Sequence, residues 1–571
     1  MSVSEATRER KTLTYTMRKL TVMASCGRIL CLWLLLGSAA EATLNDAPHA
    51  AADTPVGSAE PAGGLTPHFD VWEYRVEGNS VLDNQLIEKT VYGFLGSSRS
   101  IDDVEKARAA LEKAYHDAGY QAALVDIPEQ DVNTGVVILH VAEGTVDRLK
   151  VTGSRYYSPA HIRDKVPALA EGKAINMNQA QKELTQLAAE SPDRQVTPVM
   201  RAGQTPGTVE VELEVKDELP VHGSLELNAR NSINTTRLRL PVSLRYDNLW
   251  QMNHSASLQY QVSPEDPKNV QVWSGTYVMP IEAIESRLAM YGIGLDSQSD
   301  VTSAGALNVV GNGNIFGARL VKPLPGTRDY TNSVSFGWDY KDFGQSISPQ
   351  GSDSGESDSS PVTYSPFQLG YSGTLWDEEG SLTQLNSELN VNFAGMGSSY
   401  SEFAKRRYGA TPNYLYLAGE IKHRQSLPED LALQFKLSGQ VADSPLISNE
   451  QMGAGGMLTV RGYHEVERLG DDGAMGSVEF WSPDIGDMNI DGLGSLDDMR
   501  FLVFTDMARL WVQDALPGTQ SMYDLLSTGT GFRMLAFKHL VSEFYWEYPF
   551  VATEFVKVGQ QRIDFRVAYE F

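Results

Sequence analysis

The sequence predicts a mainly β protein, a 16-stranded antiparallel transmembrane β-barrel that follows two N-terminal copies of a small α+β module. Three observations predict this fold. Helical periodicity is confined to the first part of the chain and ends near Leu219. Before that point, a pattern of two helices and three strands occurs twice. Beyond it, segments of roughly 10 residues alternate apolar and polar side chains, as strands do between lipid and a wet lumen.

The 571-residue chain carries a formal net charge of -26. Because nucleic-acid binding requires a basic face, this charge argues against nucleic acid as a partner. After the N-terminal segment the sequence contains no apolar run long enough for a transmembrane helix, which needs about 18 residues. If the mature chain lies in a membrane, it is therefore expected there as a barrel.

The N-terminal residues 1–42 are predicted to be a secretory signal peptide. Basic residues precede a short apolar core, "ILCLWLLLG" (Ile29–Gly37), and small residues follow it. Both cysteines, Cys26 and Cys31, fall in this segment, so no disulfide is expected in the mature chain. Residues 43–68 are rich in Ala, Pro and Gly and are predicted to be a flexible linker.

The first α+β module is predicted to span residues 69–144. It opens with an alternating strand, "VWEYRVEGN" (Val71–Asn79), and a segment of helical spacing, "LDNQLIEKTVYGFL" (Leu82–Leu95). Ser100 and Asp103 have the spacing of a capping box at the start of a second helix. Two strands follow, which gives the order strand, helix, helix, strand, strand.

The same order recurs in residues 145–218, which are predicted to form the second module. Its first strand, "VDRLKVTGS", ends in V-x-G like the strand of the first module, and Gly153 lies 75 residues after Gly78. Ser158 and Pro159 start a helix with a cap and a first-turn proline. All five elements recur, which favours two copies of one module over chance similarity.

Residues 219–571 are predicted to form the barrel. In "RLRLPVSLRY" (Arg237–Tyr246), apolar residues alternate with arginines, and a soluble sandwich rarely lines one face of a strand in this way. The last segment repeats the alternation and ends on Phe571, and the even strand count puts both barrel ends on one side. The 16 predicted strands start near Val221, Arg237, Asn253, Asn269, Arg287, Gly313, Tyr330, Tyr364, Ser381, Asn413, Asp430, Gly473, Met499, Ser527, Leu540 and Gln560.

The motif "VRGY" (Val460–Tyr463) is unusual for a loop. It follows the glycine-rich run "GAGG" in the sixth long loop, between the eleventh and twelfth predicted strands. Arg461 could simply face water, but the apolar surroundings favour a loop folded inward, where an arginine needs a carboxylate. Asp506 interrupts an apolar segment of the thirteenth strand and shares a face with Phe504. Because a lone Asp within a strand is unfavourable unless paired, Asp506 is the candidate partner.

These features together resemble the TpsB family, the outer-membrane transporters of two-partner secretion. The resemblance rests on the two modules, the 16-strand barrel, V-R-G-Y in the sixth loop, F-x-D on strand 13 and the C-terminal Phe. "LRYDNLW" (Leu244–Trp250) also looks like the early barrel of that family. The resemblance covers about residues 69–571 and implies that both modules are POTRA domains. Family members often carry an N-terminal plug helix, which the proline-rich residues 43–67 do not resemble.

The resemblance also implies site residues. In that family the sixth loop runs back into the lumen, its arginine pairs with the strand-13 aspartate, and the aromatic residue of that strand packs beside the pair. The matching residues of this chain are Val460, Arg461, Gly462 and Tyr463 as the loop latch, Phe504 and Asp506 as its strand partner, and Phe571 as the C-terminal barrel signal.

The function implied is a pore in the outer membrane of a Gram-negative cell. It would export a large haemolysin-type or adhesin-type partner protein from the periplasm, where the POTRA modules capture the unfolded cargo. The expected partners are this β-helical exoprotein, outer-membrane lipid and, during biogenesis, periplasmic chaperones and the barrel-assembly machinery. No enzymatic activity, cofactor or metal is expected.

Other functions remain as alternatives. A barrel-assembly insertase shares the loop motif but usually carries more POTRA modules. A nutrient porin or receptor lacks POTRA modules, and only the acidic fourth loop around residues 345–362 hints at an adhesin. The segment "DMNIDGLGSLDD" (Asp487–Asp498) resembles the start of a calcium loop, but Gly494 replaces the usual apolar residue and no helices flank it. We interpret this segment as a turn.

Overall fold

The structure is a computed structural model. It describes residues 68–233, 235–297, 301–304, 307–310, 312–344, 361–486, 488–490 and 494–571. The predicted signal peptide, the linker up to residue 67, most of the fourth long loop and part of the calcium-like segment lie outside these residues. Among the described residues, no helix is both long and apolar enough to cross a membrane.

The first module has the predicted order, with one additional short strand pair. Its elements are β1 (Phe69–Val71), β2 (Glu73–Glu77), α1 (Asn84–Val91), a 3-10 turn (Tyr92–Phe94), β3 (Gly96–Arg99), α2 (Ile101–Asp117), β4 (Leu124–Asp126) and β5 (Val136–Ala142). Strand β5 is central, parallel to β2 and antiparallel to β4. The capping box of Ser100 and Asp103 is present. Trp72 is exposed because the predicted first strand divides there into β1 and β2.

The second module repeats this sheet. Its elements are β6 (Thr145–Thr152), α3 (Pro159–Asp164), a 3-10 turn (Pro167–Leu169), α4 (Met177–Ala189), β7 (Arg194–Ala202) and β8 (Thr208–Asp217). The strand order β6-β8-β7 matches β2-β5-β4 in position and direction. Ser158 caps α3, and Pro159 occupies its first turn. Each module has its own apolar core, centred on Leu111 and Leu139 in the first module and on Ile162 and Leu213 in the second.

The remaining strands close into an antiparallel barrel of 16 full-length strands, which confirms the predicted fold class. They are β9 (Val221–Asn228), β10 (Leu240–Leu249), β11 (His254–Val262), β12 (Val270–Ile281), β13 (Ser286–Ser297), β16 (Gly313–Leu324), β17 (Tyr330–Phe343), β19 (Phe367–Trp376), β20 (Leu382–Asn392), β21 (Tyr414–Ser426), β22 (Ala432–Ala442), β25 (Asp472–Trp481), β27 (Gly494–Trp511), β28 (Met522–Ala536), β29 (Leu540–Pro549) and β30 (Arg562–Glu570). Short strands β14 (Val301–Ala304), β15 (Leu307–Val310), β18 (Val362–Tyr364), β23 (Met452–Ala454), β24 (Arg468–Gly470) and β26 (Met488–Ile490) lie between them.

The largest differences from the predicted strand starts occur at the thirteenth and fourteenth strands. These begin at Gly494 and Met522, where the sequence predicts Met499 and Ser527. Both strands are longer than predicted because β27 and β28 pair along nearly their whole length. Polar residues at their ends resemble turns in the sequence, but the backbone pairing with the neighbouring strand keeps them extended.

The barrel closes between its first and last strands. β30 pairs with β9, and Val567 lies opposite Leu227. Gly223 and Phe571 extend this pairing, because each donates its backbone N–H to the other's carbonyl oxygen, at 2.9 and 3.0 Å. The C-terminal residue thus forms part of the seam, with its ring exposed.

The alternation predicted from the sequence separates the two barrel faces. In β27, Leu502, Phe504 and Asp506 are buried toward the lumen, whereas Phe501 and Val503 are exposed on the outer surface. A surface of this kind is apolar where the barrel contacts lipid. Seven tryptophans lie in the barrel region. Of these, Trp481 is the buried one, and the other six are exposed: Trp250, Trp273, Trp338, Trp376, Trp511 and Trp546.

Long and short connections alternate around the barrel. We call the end with the long connections the loop end and the opposite end the turn end. The fifth long loop (393–413) contains helix α5 (Tyr400–Arg406), and the sixth (443–471) contains the β23–β24 pair. Val460 and Tyr463 of the sixth loop are completely buried, so this loop folds into the barrel instead of extending away from it.

Candidate functional site

The tip of the sixth loop lies inside the barrel, against the inner face of its last strands. Its turn requires glycine at two positions. Gly462 has a φ of +89°, in the region that L side chains rarely adopt. Gly456 has a φ of +103°, and a Cβ atom there would lie 2.5 Å from the carboxyl carbon of Glu465. The glycine-rich run before the motif therefore allows the chain to reverse within a crowded lumen.

Arg461 forms a bidentate ion pair with Asp506. Its Nε donates to Oδ2 at 2.7 Å, and its Nη2 donates to Oδ1 at 2.8 Å. The backbone N–H of Arg461 also donates to Oδ2, at 3.1 Å. Asp506 is 0 % exposed and Arg461 is 5 % exposed. The structure thus brings together the two residues that the sequence singles out, in the planar geometry that a guanidinium and a carboxylate favour.

A second carboxylate, which sequence reasoning missed, completes the arginine site. Glu479 of β25 places Oε1 2.8 Å from Arg461 Nη2. Ser477 of the same strand donates its hydroxyl to Asp506 Oδ1 at 2.6 Å. Both residues belong to the strand next to β27, whose alternation places Glu479 on the lumen face with Trp481. A polar residue on the buried face of "SVEFW" is the signal that identifies this carboxylate.

Two aromatic rings flank the guanidinium. The Cζ atom of Arg461 lies 3.5 Å from the centroid of the Phe504 ring and 5.3 Å from that of Tyr545. A cation over an aromatic face is attracted by the ring quadrupole. The sequence predicts Phe504 as a neighbour, but Tyr545 lies two strands away on β29 and has no sequence signal. The rings exclude water from the ion pair and strengthen it.

The other residues of the tip contact the wall through both backbone and side-chain groups. The N–H of Gly462 donates to Glu547 Oε2 at 2.7 Å. The hydroxyl of Tyr463 donates to the carbonyl oxygens of Leu526 at 3.0 Å and Val551 at 2.9 Å. Val460 packs in an apolar cluster with residues of β27 and β28. Each residue of the predicted motif therefore has a distinct contact with the wall.

The loop also contacts the first strand of the barrel. Arg230, which follows β9, places Nε 3.1 Å from Glu465 Oε1. Glu465 also accepts from the backbone N–H of Met457 at 3.1 Å. The loop therefore spans from β25 through the last strands to the segment beyond the seam.

Breaking such a buried pair has a large energetic effect. Removing one partner of a buried ion pair leaves an uncompensated charge and typically costs about 3–5 kcal/mol. The groups near Arg461 offer hydrogen bonding and packing. The arrangement can hold a loop across a lumen, and it can release that loop if the pair is broken.

The segment Asp487–Asp498, which resembles the start of a calcium loop, is interpreted from the sequence as a turn, but its last residues belong to β27. Asp498 lies in β27 and accepts from Arg500 Nε at 3.2 Å. Much of the remaining segment lies outside the described residues. Asp193, His222 and Asp247 form a separate described cluster of possible metal ligands at the junction of the second module and the barrel. There Asp247 also pairs with Arg245, at 3.0 Å, so a cation competes for the same carboxylate.

Comparison with known protein families identifies the class of the chain. Residues 69–144 match the POTRA domain of ShlB type. Residues 207–534 match the family of haemolysin secretion/activation proteins ShlB/FhaC/HecB. This second match covers more than half of the chain, and the chain therefore belongs to that family.

Individual relatives are distant in sequence. The heme/hemopexin transporter protein HuxB of Haemophilus influenzae is 20 % identical over 402 residues, 68 % of this chain and 67 % of the relative. The outer membrane transporter CdiB of Dickeya dadantii is 24 % identical over 184 residues, 32 % of each protein.

Two solved structures have folds similar to that of this chain. CdiB from Escherichia coli superimposes with a TM-score of 0.58 and 18 % identity, covering 91 % of this chain and 93 % of that one. BamA from Haemophilus ducreyi lacking POTRA domains 1–3 gives a TM-score of 0.53 and 13 % identity, covering 88 % and 100 %. At these identities the likeness shows the fold alone.

The predicted family and function are confirmed at this level. The protein is an outer-membrane transporter of two-partner secretion, and its partner is a secreted protein. The family is one of secretion transporters and not a known class of enzyme.

Proposed function

We propose that the sixth loop is the latch of this secretion pore. The observation that carries the proposal is the bidentate pair of Arg461 and Asp506 deep in the lumen. A loop held there occupies the space through which cargo would pass. In this proposal the seated loop closes the pore, and its displacement opens a path for the exported chain.

Several contacts support a seated loop that can be released as a unit. Arg461 satisfies Asp506 and Glu479 at once, so neither carboxylate is left unpaired while the loop is in place. Once the loop moves, both carboxylates face a lumen filled with water or cargo, where hydration replaces the lost ion pairs. Because water replaces Arg461 as the partner of these carboxylates, opening costs less free energy than leaving the same charges buried and unpaired would.

The two modules supply surfaces for cargo capture, and we place them in the periplasm. In each three-stranded sheet, the strand that comes second in the chain lies at an edge. This strand is β4 in the first module and β7 in the second. Backbone groups at a sheet edge can pair with an extended segment of an unfolded chain. Leu124 of β4 is 62 % exposed and offers an apolar contact beside such a strand.

The cargo proposed is a large β-helical exoprotein of haemolysin or adhesin type. It crosses the barrel unfolded and folds at the cell surface, and this folding supplies the drive without ATP. Outer-membrane lipid surrounds the apolar outer face, and periplasmic chaperones and the barrel-assembly machinery act during biogenesis.

The test is the Arg461→Ala variant. We expect the barrel to insert normally, because the wall strands pair independently of the loop. In this proposal cargo displaces the loop from its seated position and the loop then returns to it, so export of the cognate cargo, measured by its appearance in the medium, is expected to fall at least about tenfold when the contact that holds the seated position is lost. Undiminished export by a correctly inserted variant would contradict the proposal that the sixth loop is a latch.

Arg509→Ala is the matched control. Arg509 forms an ion pair with Asp524 at 2.6 Å on the exposed surface near the loop end. Exposed pairs typically contribute about 0–1 kcal/mol, so this variant removes an arginine of the same barrel without removing a buried contact. It is expected to export like the wild type.

An insertase that folds other barrels is the alternative that the sequence left open, and the fold shared with BamA does not separate it from secretion. Depletion of the chain separates the two functions. Loss of one secreted protein with normal levels of other outer-membrane barrels supports secretion, whereas a general loss of barrels supports the insertase.

A further inference from the structure

A second buried ion pair fastens the sixth loop at the loop end of the barrel. Asp471, at the C-terminal base of the sixth loop, is completely buried. Both oxygens of its carboxylate accept from Arg407 of the fifth long loop, and the contact between Nη2 and Oδ2 measures 2.6 Å. This pair is separate from that of Arg461, which contacts β25 and β27.

The Asp471 carboxylate accepts hydrogen bonds from residues of three loops. Besides Arg407, its carboxylate accepts from the backbone N–H groups of Leu446 and Gln513, both at 2.8 Å, and from Gln451 Nε2 at 3.1 Å. Leu446 and Gln451 belong to the sixth loop, and Gln513 belongs to the seventh (512–521). Arg407 in turn donates to the carbonyl oxygens of Leu446 and Gln513. The buried charges are thus satisfied only while the fifth, sixth and seventh loops stay together.

An apolar cluster lies beneath these loops. Phe403 of α5 packs edge-on against Tyr364, with ring centroids 5.8 Å apart. Together with Leu446 and Ile447 of the sixth loop, they pack against the loop-end residues of β12, β13, β16 and β17 that face the lumen. Loop side chains therefore fill this part of the lumen with dry, close-packed contacts.

A further carboxylate ties the sixth loop to the same wall. Glu450 is 4 % exposed. Its Oε1 accepts from Lys341 Nζ and from the Tyr364 hydroxyl, both at 2.6 Å, and its Oε2 accepts from the Tyr416 hydroxyl at 2.8 Å. The wall contacted here belongs to strands 7 and 10 of the barrel and to the short strand β18, whereas the Arg461 site belongs to strands 12, 13 and 15.

We propose that the fifth and sixth loops form an outer lid, fastened by Arg407 and Asp471, which must open in addition to the Arg461 latch before cargo can leave the pore. This inference rests on the proposed export function and extends it. The lid closes the loop end over one arc of the barrel, while the latch fastens the loop tip to another. Release of the tip alone leaves the apolar cluster in the path of the cargo.

A designed disulfide tests the lid directly. A Cβ atom added at Gly409 of the fifth loop would lie 3.6 Å from the Cβ of Pro445 in the sixth. Disulfides join Cβ atoms about 3.5–4.5 Å apart, so Gly409→Cys with Pro445→Cys is expected to crosslink the two loops. The natural cysteines are Cys26 and Cys31 only, outside the described residues. Each single cysteine variant is a control, which accounts for the backbone strain at Gly409, where φ is +78°.

The full-length double variant is assayed for export with and without reductant. We expect the oxidised form to export less than a tenth of the cargo that the reduced form exports, and the single variants to be insensitive to reductant. Export by the fully crosslinked form at the reduced level would overturn the lid. Heat-modifiable migration of the barrel in gels confirms that each variant is folded.

A second measurement uses ion conductance of the purified full-length protein in planar bilayers. Arg407→Ala is expected to raise the frequency of open events at least about tenfold, since it leaves Asp471 buried without its cation, and Arg509→Ala is expected to leave it unchanged. A folded Arg407→Ala protein with wild-type conductance would contradict the proposal. Normal export by Arg461→Ala would refute the latch while leaving the crosslinking result to decide the lid, so the two failures are distinguishable.

Discussion

At the scale of the residue, burial decides what the arginines of this barrel do. Arg509 and Asp524 are about half exposed and pair in water, where such pairs contribute little. Arg461 faces Asp506 and Glu479 in a site closed by aromatic rings. The same side-chain chemistry is therefore expected to contribute little to stability at one position and several kcal/mol at the other. The surrounding strands create this difference.

Arg461→Lys is expected to lose most of the function of the arginine. Lysine keeps the charge, but its ammonium cannot donate two parallel hydrogen bonds to Asp506 while also reaching Glu479 and stacking on Phe504. Export by this variant is expected to resemble that of Arg461→Ala more than that of the wild type. Side-by-side export assays at equal barrel levels measure this. Wild-type export by the lysine variant would show that charge alone suffices at this site.

At the scale of the element, a charged cluster around Glu190 is one of the contacts that join the second module to the barrel. Glu190, at the end of α4, accepts from Asn253 Nδ2 of a barrel turn at 2.9 Å and from Arg194 Nη2 at 3.1 Å. Lys165 lies 3.3 Å from Glu190 and 2.5 Å from Glu282 of the next barrel turn. These contacts connect the module to the turn end at two neighbouring turns.

The turn that receives the module has an unusual backbone. Asn248, Trp250, Gln251 and Asn253 all have positive φ values between 55° and 62°. Such conformations are strained for residues other than glycine and persist where the surroundings hold them. Here Gln251 accepts from the backbone N–H of Ser158, at 2.8 Å. The contact with the module is one of the interactions that hold this turn.

The junction is expected to weaken in acid. Burial opposes the charge of Glu190, but hydrogen bonds from His161 and Arg194 and the charge of Lys165 outweigh it and lower the pKa of Glu190 from 4.5 to about 2. Because the folded pKa lies below the unfolded one, the stabilisation is complete above about pH 4.5 and is lost as the pH falls toward 2.

Glu190→Gln should therefore reduce the acid sensitivity of the second module. The denaturation midpoint of the wild type, measured by helix circular dichroism, is expected to fall more between about pH 5 and pH 3 than that of the variant. Glu88→Gln, at an exposed position on α1, serves as the control. Identical acid sensitivity of the Glu190→Gln and wild-type proteins would contradict the assignment.

At the scale of the whole molecule, two small α+β cores precede one closed sheet. The modules bury their own apolar residues, whereas the barrel exposes apolar residues outward and closes its backbone hydrogen bonds in a ring. Separate cores with few shared contacts unfold as separate cooperative units.

Unfolding in detergent is accordingly expected in two stages. Urea should remove the helical signal of the modules first, while the barrel, whose strands pair around the full ring, keeps its heat-modifiable migration in gels. The two transitions are followed by circular dichroism and by gel mobility on the same samples. Coincident midpoints for both probes would show that modules and barrel form one cooperative unit.

Much of this architecture was predictable because periodicity is a local property. The alternation that places Phe504 and Asp506 on one face is written in neighbouring residues, and so is the capping box of Ser100 and Asp103. The pairing of Arg461 with Asp506 is not local. It was predicted from a family resemblance, together with the rule that a buried charge needs a partner.

Other contacts cannot be predicted from local patterns, which can place Glu479 on the lumen face but cannot show which residue it meets there. Glu479 and Tyr545 reach Arg461 only because β25, β27 and β29 curve around one loop. Arg407 and Asp471 lie on different loops and meet only where those loops fold over the same opening. Residues so far apart in the chain have no characteristic sequence spacing, because their distance in space is set by the closed barrel.

The sequence by itself therefore determined the two modules, the number of barrel strands, the face that each residue occupies and the position of the loop motif, since all of these follow from short-range alternation and turn chemistry. Only the tertiary structure decided which carboxylates surround Arg461, which loops Asp471 gathers and how the second module meets the barrel. These contacts join residues that are far apart in the chain, and they form only when the folded barrel brings its strands, loops and turns together.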